Sequence, residues 1–176
     1  MKTLLKVLGV IIAVIALVIS SLGVVRNFRD AEDAAAYESS MSQGKSEMDE
    51  YRKQSEQLTG EAKEQMLQMI QEGEDLLAQL PSKNTFTSIG VLMVVLALTS
   101  LISAVLLFAS KQKPATIILV ITVVAALIAI AISPSIDGGF SGAASNRAVS
   151  IAAAIPAFLT ALFAFLISRM KAKAIA

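Results

Sequence analysis

Four apolar stretches, each close to the length of a bilayer crossing, leave this chain little choice of solvent. They run from Leu4 to Val25, Phe86 to Ser110, Ala115 to Ile132 and Ala148 to Ser168. A hydrocarbon core about 30 Å thick takes about 20 residues of helix at about 1.5 Å each, so every stretch reads as a spanning helix. The second is the longest and must tilt or project, whereas the third sits near the short limit. Within all of them only Lys6, at the edge of the first, carries a formal charge. A cleaved signal peptide, with Ser21-Leu22-Gly23 as a small-residue cleavage site, is the competing reading of the first stretch. Its apolar run is longer than the usual hydrophobic core of about 7 to 15 residues in such a leader, which favours a span.

Between the first two stretches lies a segment of opposite character. From Asp30 to Leu80 the residues Ala34, Tyr37, Met41, Gly44, Met48, Tyr51, Ser55 and Leu58 follow at alternating steps of three and four. That is the period of about 3.5 that makes a coiled-coil seam. The phase slips after Thr59-Gly60, where Ala62 and Met66 follow at steps of four before Met69, Gly73, Leu76 and Leu80 resume the alternation. A slip marks either a discontinuity in one helix or a turn. One straight helix of this length would reach roughly 75 Å and strand its far end away from the next span. A turn at Gly60, giving two arms of similar length, is therefore the preferred reading, with Gly44 and Gly73 as competing break points.

Charge follows the same division. The chain is 55% hydrophobic and 16% charged, against about a quarter charged in an ordinary soluble domain. Residues 26–84 hold 13 of the 14 acidic residues and 7 of the 15 basic ones, a surface that repels nucleic acid. With no cysteine and no histidine, the chain has no disulfide, thiolate, imidazole ligand or imidazole base. The carboxylates Glu47, Asp49, Glu50, Glu61, Glu64, Glu72, Glu74 and Asp75 lack the spacing of a calcium loop and read as the solvated outside of the helices. Asp49 and Lys53 form one helix-surface pair.

The connections are short or breaker-rich. Pro81-Ser82-Lys83-Asn84 is a turn, with Asn84 or Thr85 as the cap of the second span. Lys111-Gln112-Lys113-Pro114 joins spans two and three as antiparallel neighbours. Ser133 to Ser145 is a Gly/Ser-rich loop, Asn146 caps the fourth span, and Asp137 and Arg147 bracket the loop as a possible pair of little energetic value. Lys2, Lys6, Lys111, Lys113, Arg169, Lys171 and Lys173 fall at one end of the spans, and Arg26, Arg29, Lys83 and Arg147 at the other. The excess places both termini in the cytoplasm, with Arg26 and Arg29 arguing against it.

Inside the spans, Thr99, Ser100 and Ser103 are the densest polar group and suggest interhelical hydrogen bonds. Ala125 with Ala129, and Ala153, Ala157 and Ala161, form small-residue ladders suited to close helix packing. Pro156 predicts a kink in span four, with the Thr160 hydroxyl relieving the freed backbone.

The sequence thus predicts an all-α integral membrane protein with four transmembrane helices and an extramembrane, coiled-coil-like helical hairpin between spans one and two. The first span takes residues 1–25, the extracytoplasmic helical domain 26–84, and the second span 85–110. A cytoplasmic loop at 111–114, a third span at 115–132, an outer loop at 133–147, a fourth span at 148–168 and a cytoplasmic tail at 169–176 complete it. The short chain and cysteine-free outer domain point to a bacterial inner membrane. No catalytic, metal or cofactor motif is present, and the expected role is a non-enzymatic scaffold or accessory subunit, without cofactor. Besides membrane lipids, its expected partner is another protein or a second copy, met at Tyr37, Met41, Met48, Tyr51, Leu58, Met66 and Met69. The alternative is a channel or transport component whose path forms on oligomerisation.

Overall fold

The computed structural model describes residues 2–79, 81–109, 111–135 and 144–172, with the side chains of residues 2, 41, 43–45, 76–79 and 171–172 left aside. Among the described residues the chain is all-helical: α1 is Lys2–Ser55, α2 Glu61–Gln79, α3 Lys83–Ala109, α4 Gln112–Ile132 and α5 Asn146–Ala172. Proline lies at or near three of the four connections. Pro81 lies between α2 and α3, Pro114 occupies the first turn of α4 where its missing N–H costs nothing, and Pro134 follows α4. Four segments are long and apolar enough to cross a membrane: Thr3–Ser40, Lys83–Ala109, Gln112–Ile132 and Asn146–Met170.

The longest helix, α1, owes its continuity to the absence of any proline over its 54 residues. One face of it is made almost wholly of small residues. Gly9, Ala13, Ala16, Ser20, Gly23, Asn27, Asp30 and Ala34 are all buried and follow at alternating steps of four and three. The alternation read in the sequence from Ala34 onward thus continues a buried face that runs back 25 residues to Gly9, whereas Tyr37, the next position after Ala34, is exposed. Against it packs α3, running antiparallel. A Cβ added to Gly9 would lie 2.8 Å from Leu107, one added to Gly23 3.2 Å from Met93, and one added to Gly90 3.1 Å from Phe28. The helices approach this closely because the facing positions lack side chains.

The same logic joins α4 to α5. Ala125, Ala126 and Ala129 share one core cluster with Ala153, Ala154 and Ala157, together with Ala16, Ile89, Met93 and Leu96. Ala161 is buried as well. A second cluster of Leu106, Leu107, Ala115, Ala164 and Ile167 closes the end where α1 begins. The opposite faces, including Val7, Ile11, Val14 and Val18 of α1 and Val120, Val124 and Leu127 of α4, are apolar and exposed.

Several local expectations are corrected. Helix α3 starts at Lys83, and its cap is Ser82, whose hydroxyl accepts the Thr85 N–H at 3.3 Å, so neither Asn84 nor Thr85 caps it. Helix α5 is capped by Ser145, which accepts the Ala148 N–H at 3.2 Å, freeing the Asn146 side chain for another use. Thr99 and Ser100 donate to the Leu96 carbonyl of their own helix rather than across helices. The interhelical hydroxyl pair is instead Ser133 with Ser150, buried at 2.7 Å. Thr160 donates to the Pro156 carbonyl at 2.8 Å, whereas the carbonyl that Pro156 leaves without its helical donor is that of Ala152. Arg147 donates to the Ser133 carbonyl at 3.2 Å, and Asp137 lies outside the described residues.

Candidate functional site

Two features stand out from the apolar packing, and α1 carries both. The first is built where α1 has passed the bundle. The helix ends at Ser55, whose hydroxyl donates to the Arg52 carbonyl at 2.6 Å. The Gln57 and Leu58 N–H groups then turn back onto the carbonyls of Gln54 and Ser55 at 3.0 and 3.2 Å. Gly60 adopts φ +68°, a left-handed conformation that a side chain would oppose. Its carbonyl accepts from Lys63 and Glu64, which starts α2. Glu61 and Glu64 in that first turn complement the positive end of the helix dipole.

From there α2 runs back beside α1. One guanidinium nitrogen of Arg52 donates to both carboxylate oxygens of Glu74, at 2.9 and 3.0 Å. Met48 lies against Gly73, where a Cβ would come within 2.9 Å of its methyl. Glu38 accepts the Lys83 backbone N–H at 3.0 Å, which ties the start of α3 to α1. Between the two helices Met48, Tyr51, Met66, Met69 and Ile70 line an apolar cavity of about 300 Å³.

The structure thus brings four of the sequence candidates, Met48, Tyr51, Met66 and Met69, to one cavity. Tyr37 does not line it and is 47% exposed on α1. Leu58 sits in the turn rather than on either helix. The Met41 side chain lies outside the described residues. Met69 is corrected as a seam residue: it is 64% exposed, and among the described side chains of α2 the buried one is Ile70. Met66, Ile70 and Gly73 form the inward face at steps of four and three, so the true phase of α2 is one residue off at this point.

The second feature is polar and buried. Asn27 and Asp30 lie on the small-residue face of α1, one turn apart, and both are fully buried. Asn146, at the start of α5, donates through Nδ2 to Asn27 Oδ1 and to Asp30 Oδ2, each at 2.9 Å. Arg26 Nε stands 3.6 Å from Asp30 Oδ2, and its guanidinium also donates to Asn146 Oδ1 at 3.3 Å and to the Ala144 carbonyl. Asn27 Nδ2 donates to the Gly23 carbonyl at 2.7 Å. Burying an acid is costly unless a cation and hydrogen-bond donors surround it, and this cluster supplies both. Arg26 therefore does more than mark the end of an apolar stretch: with Asp30 it fastens α1 to the start of α5. A polar residue recurring on the small-residue seam is the sequence signal for this cluster.

Among the described residues no three His, Cys, Asp or Glu side chains gather as metal ligands. Neither a protein-family model, nor a curated protein, nor a solved structure matches the chain.

Proposed function

We propose that this chain is a non-enzymatic membrane subunit, a scaffold or accessory protein that spans the bilayer four times and meets a partner protein through the α1–α2 hairpin outside it. The apolar cavity of about 300 Å³ between α1 and α2 carries this reading, because it sits on the most charged part of the chain with Tyr51 and Met69 half or more exposed at its walls. An apolar recess on a charged, solvated surface is a place where another protein can bury area. Membrane insertion is supported by the four long apolar helices and their apolar outward faces. A helix as long as Thr3–Ser40 covers about 57 Å, nearly twice the hydrocarbon thickness, so α1 carries the hairpin clear of the lipid. The excess of lysine and arginine at the opposite end supports cytoplasmic termini and an extracytoplasmic hairpin, in an inner membrane.

Photocrosslinking in native membranes tests the role. A photoreactive residue at position 69 is expected to trap one discrete protein, whereas the same group at Phe108, at the far end of the bundle, traps lipid. Equal protein trapping from both positions would remove the assignment. Solute or ion flux through the purified protein in liposomes would instead favour a transport component.

A further inference from the structure

We infer, building on the docking role proposed above, that the cavity between α1 and α2 takes the apolar side chains of a basic amphipathic helix from a different protein. The cavity wall is almost entirely apolar and rich in methionine: among the described residues Met48, Met66 and Met69 line it together with Tyr51 and Ile70. Unbranched thioether side chains adjust to the shape of what enters, which suits a helix presenting leucine-like anchors. A trough between two helices also accepts side chains arriving once per turn or so from a third.

Charge selects the occupant. From Ala31 to Gln79, past the buried Arg26–Asp30 pair, the chain carries 12 acidic residues and 4 basic ones, a net of −8. Of the four basic residues Arg52 is already held by Glu74, and the acids Glu47, Asp49, Glu50, Glu72 and Asp75 on the cavity's two helices are exposed. A second copy docking here would set two such surfaces face to face, and an anionic segment would meet the same repulsion. A polar basic segment would be drawn to the surface but would leave the cavity unfilled. An occupant that satisfies both the wall and its rim has an apolar stripe flanked by lysine or arginine.

The test uses the whole protein in phosphatidylcholine nanodiscs, with empty nanodiscs as the blank, and three labelled synthetic peptides of about four helical turns. One places leucine on the seam and lysine elsewhere, one replaces lysine by glutamate, and one keeps lysine but replaces leucine by glutamine. The leucine–lysine peptide is expected to bind at least about tenfold more tightly than either control, and to weaken as salt rises from about 50 to about 300 mM. Met69→Glu separates the cavity from bulk attraction, because it removes apolar wall while adding negative charge. Binding weakened about fivefold or more supports the inference, and unchanged or tighter binding overturns it, since charge alone would then explain the attraction. Met69 is 64% exposed, so the variant keeps its fold, and Tyr51→Gln provides a second, uncharged reading. If the leucine–glutamate peptide binds as well as its lysine counterpart, docking stands and the basic partner falls. If no peptide binds above the blank, the docking role of the cavity falls with it. A dimer that Met69→Glu dissolves would overturn the inference in favour of a second copy.

Discussion

Replacing Asp30 by alanine is the sharpest way to ask whether the buried polar cluster holds α1 to α5. The Asp30 side chain has no solvent exposure, and Arg26 retains 15%, so the charge left behind by the substitution is mostly out of water. Breaking a buried pair by removing one partner costs about 3–5 kcal/mol, largely because the other charge stays desolvated. Here Arg26 keeps the Ala144 carbonyl and Asn146 Oδ1 as acceptors, which places Asp30→Ala near the lower end, at about 3 kcal/mol. Asp30→Asn retains an acceptor for the Asn146 amide and costs about 1–2 kcal/mol. Removing both charges, as Arg26→Ala with Asp30→Ala, is expected to recover about 1 kcal/mol relative to Asp30→Ala alone. The chain lacks cysteine, so a single cysteine introduced at buried Ala153 reports opening of the bundle through its labelling rate during titration with SDS in mixed micelles. An Asp30→Ala variant within about 0.5 kcal/mol of the parent, or a double variant whose losses simply add, would refute the reasoning.

Three further substitutions probe the backbone and surface. Gly60→Ala meets nothing within 4 Å, so its whole cost of about 1–2 kcal/mol is left-handed backbone strain, and Gly60→Asn should cost less; hydrogen exchange across residues 56–64 measures both. Gly9→Ile drives a side chain into buried Leu107 and costs about 1–3 kcal/mol, and Leu107→Ala in the same chain should restore part of it in the thiol-labelling assay. Arg52→Ala removes a pair whose members are each about half exposed, so a loss below about 1 kcal/mol that disappears in high salt is expected from hydrogen exchange of α2.

The four apolar segments could be read from the sequence because hydropathy over some 20 residues needs no knowledge of partners. Helices α3 and α5 begin three and two residues before the apolar stretches at Phe86 and Ala148, because there capping chemistry rather than hydropathy sets the helix start: Ser82 and Ser145 supply the hydroxyl acceptors. The α1 seam was visible only from Ala34, where charged residues surround it and make the alternation plain. Upstream, Gly9, Ala13 and Ala16 stand among valine, isoleucine and leucine, and a scale that counts all of these as apolar hides which face is thin. In a bilayer the thin face is the informative one, since helices associate where backbones can approach rather than where side chains are most apolar. The phase of α2 is hidden in the sequence for a related reason. Met69 and Ile70 are adjacent and both apolar, and the choice between them depends on how the helix is rotated as it leaves the Gly60 turn.

The polar cluster was harder to see because its parts are 116 to 120 residues apart along the chain. Yet its physical logic is local at each end. On α1, Asn27 and Asp30 occupy positions that the preceding steps of four and three reserve for glycine, alanine and serine, so they point at a neighbouring helix rather than at solvent or lipid. A buried carboxylate there requires donors from that neighbour. Arg26 on the same helix, four residues earlier, supplies the cation, with its Nε 3.6 Å from the carboxylate. The donor must come from a helix end at the same level, and Asn146 qualifies because Ser145 has already taken the capping role and left its amide free to turn inward. Seam position, rather than residue type, distinguishes Asp30 from the exposed acids that follow it: Glu32 and Asp33 are exposed two and three residues later, off the seam. The same test applied to α5 singles out Ser150, four residues after Asn146, which is buried against Ser133. Reading polar residues by their register on a small-residue face therefore recovers contacts between distant segments that motif spacing along the chain does not.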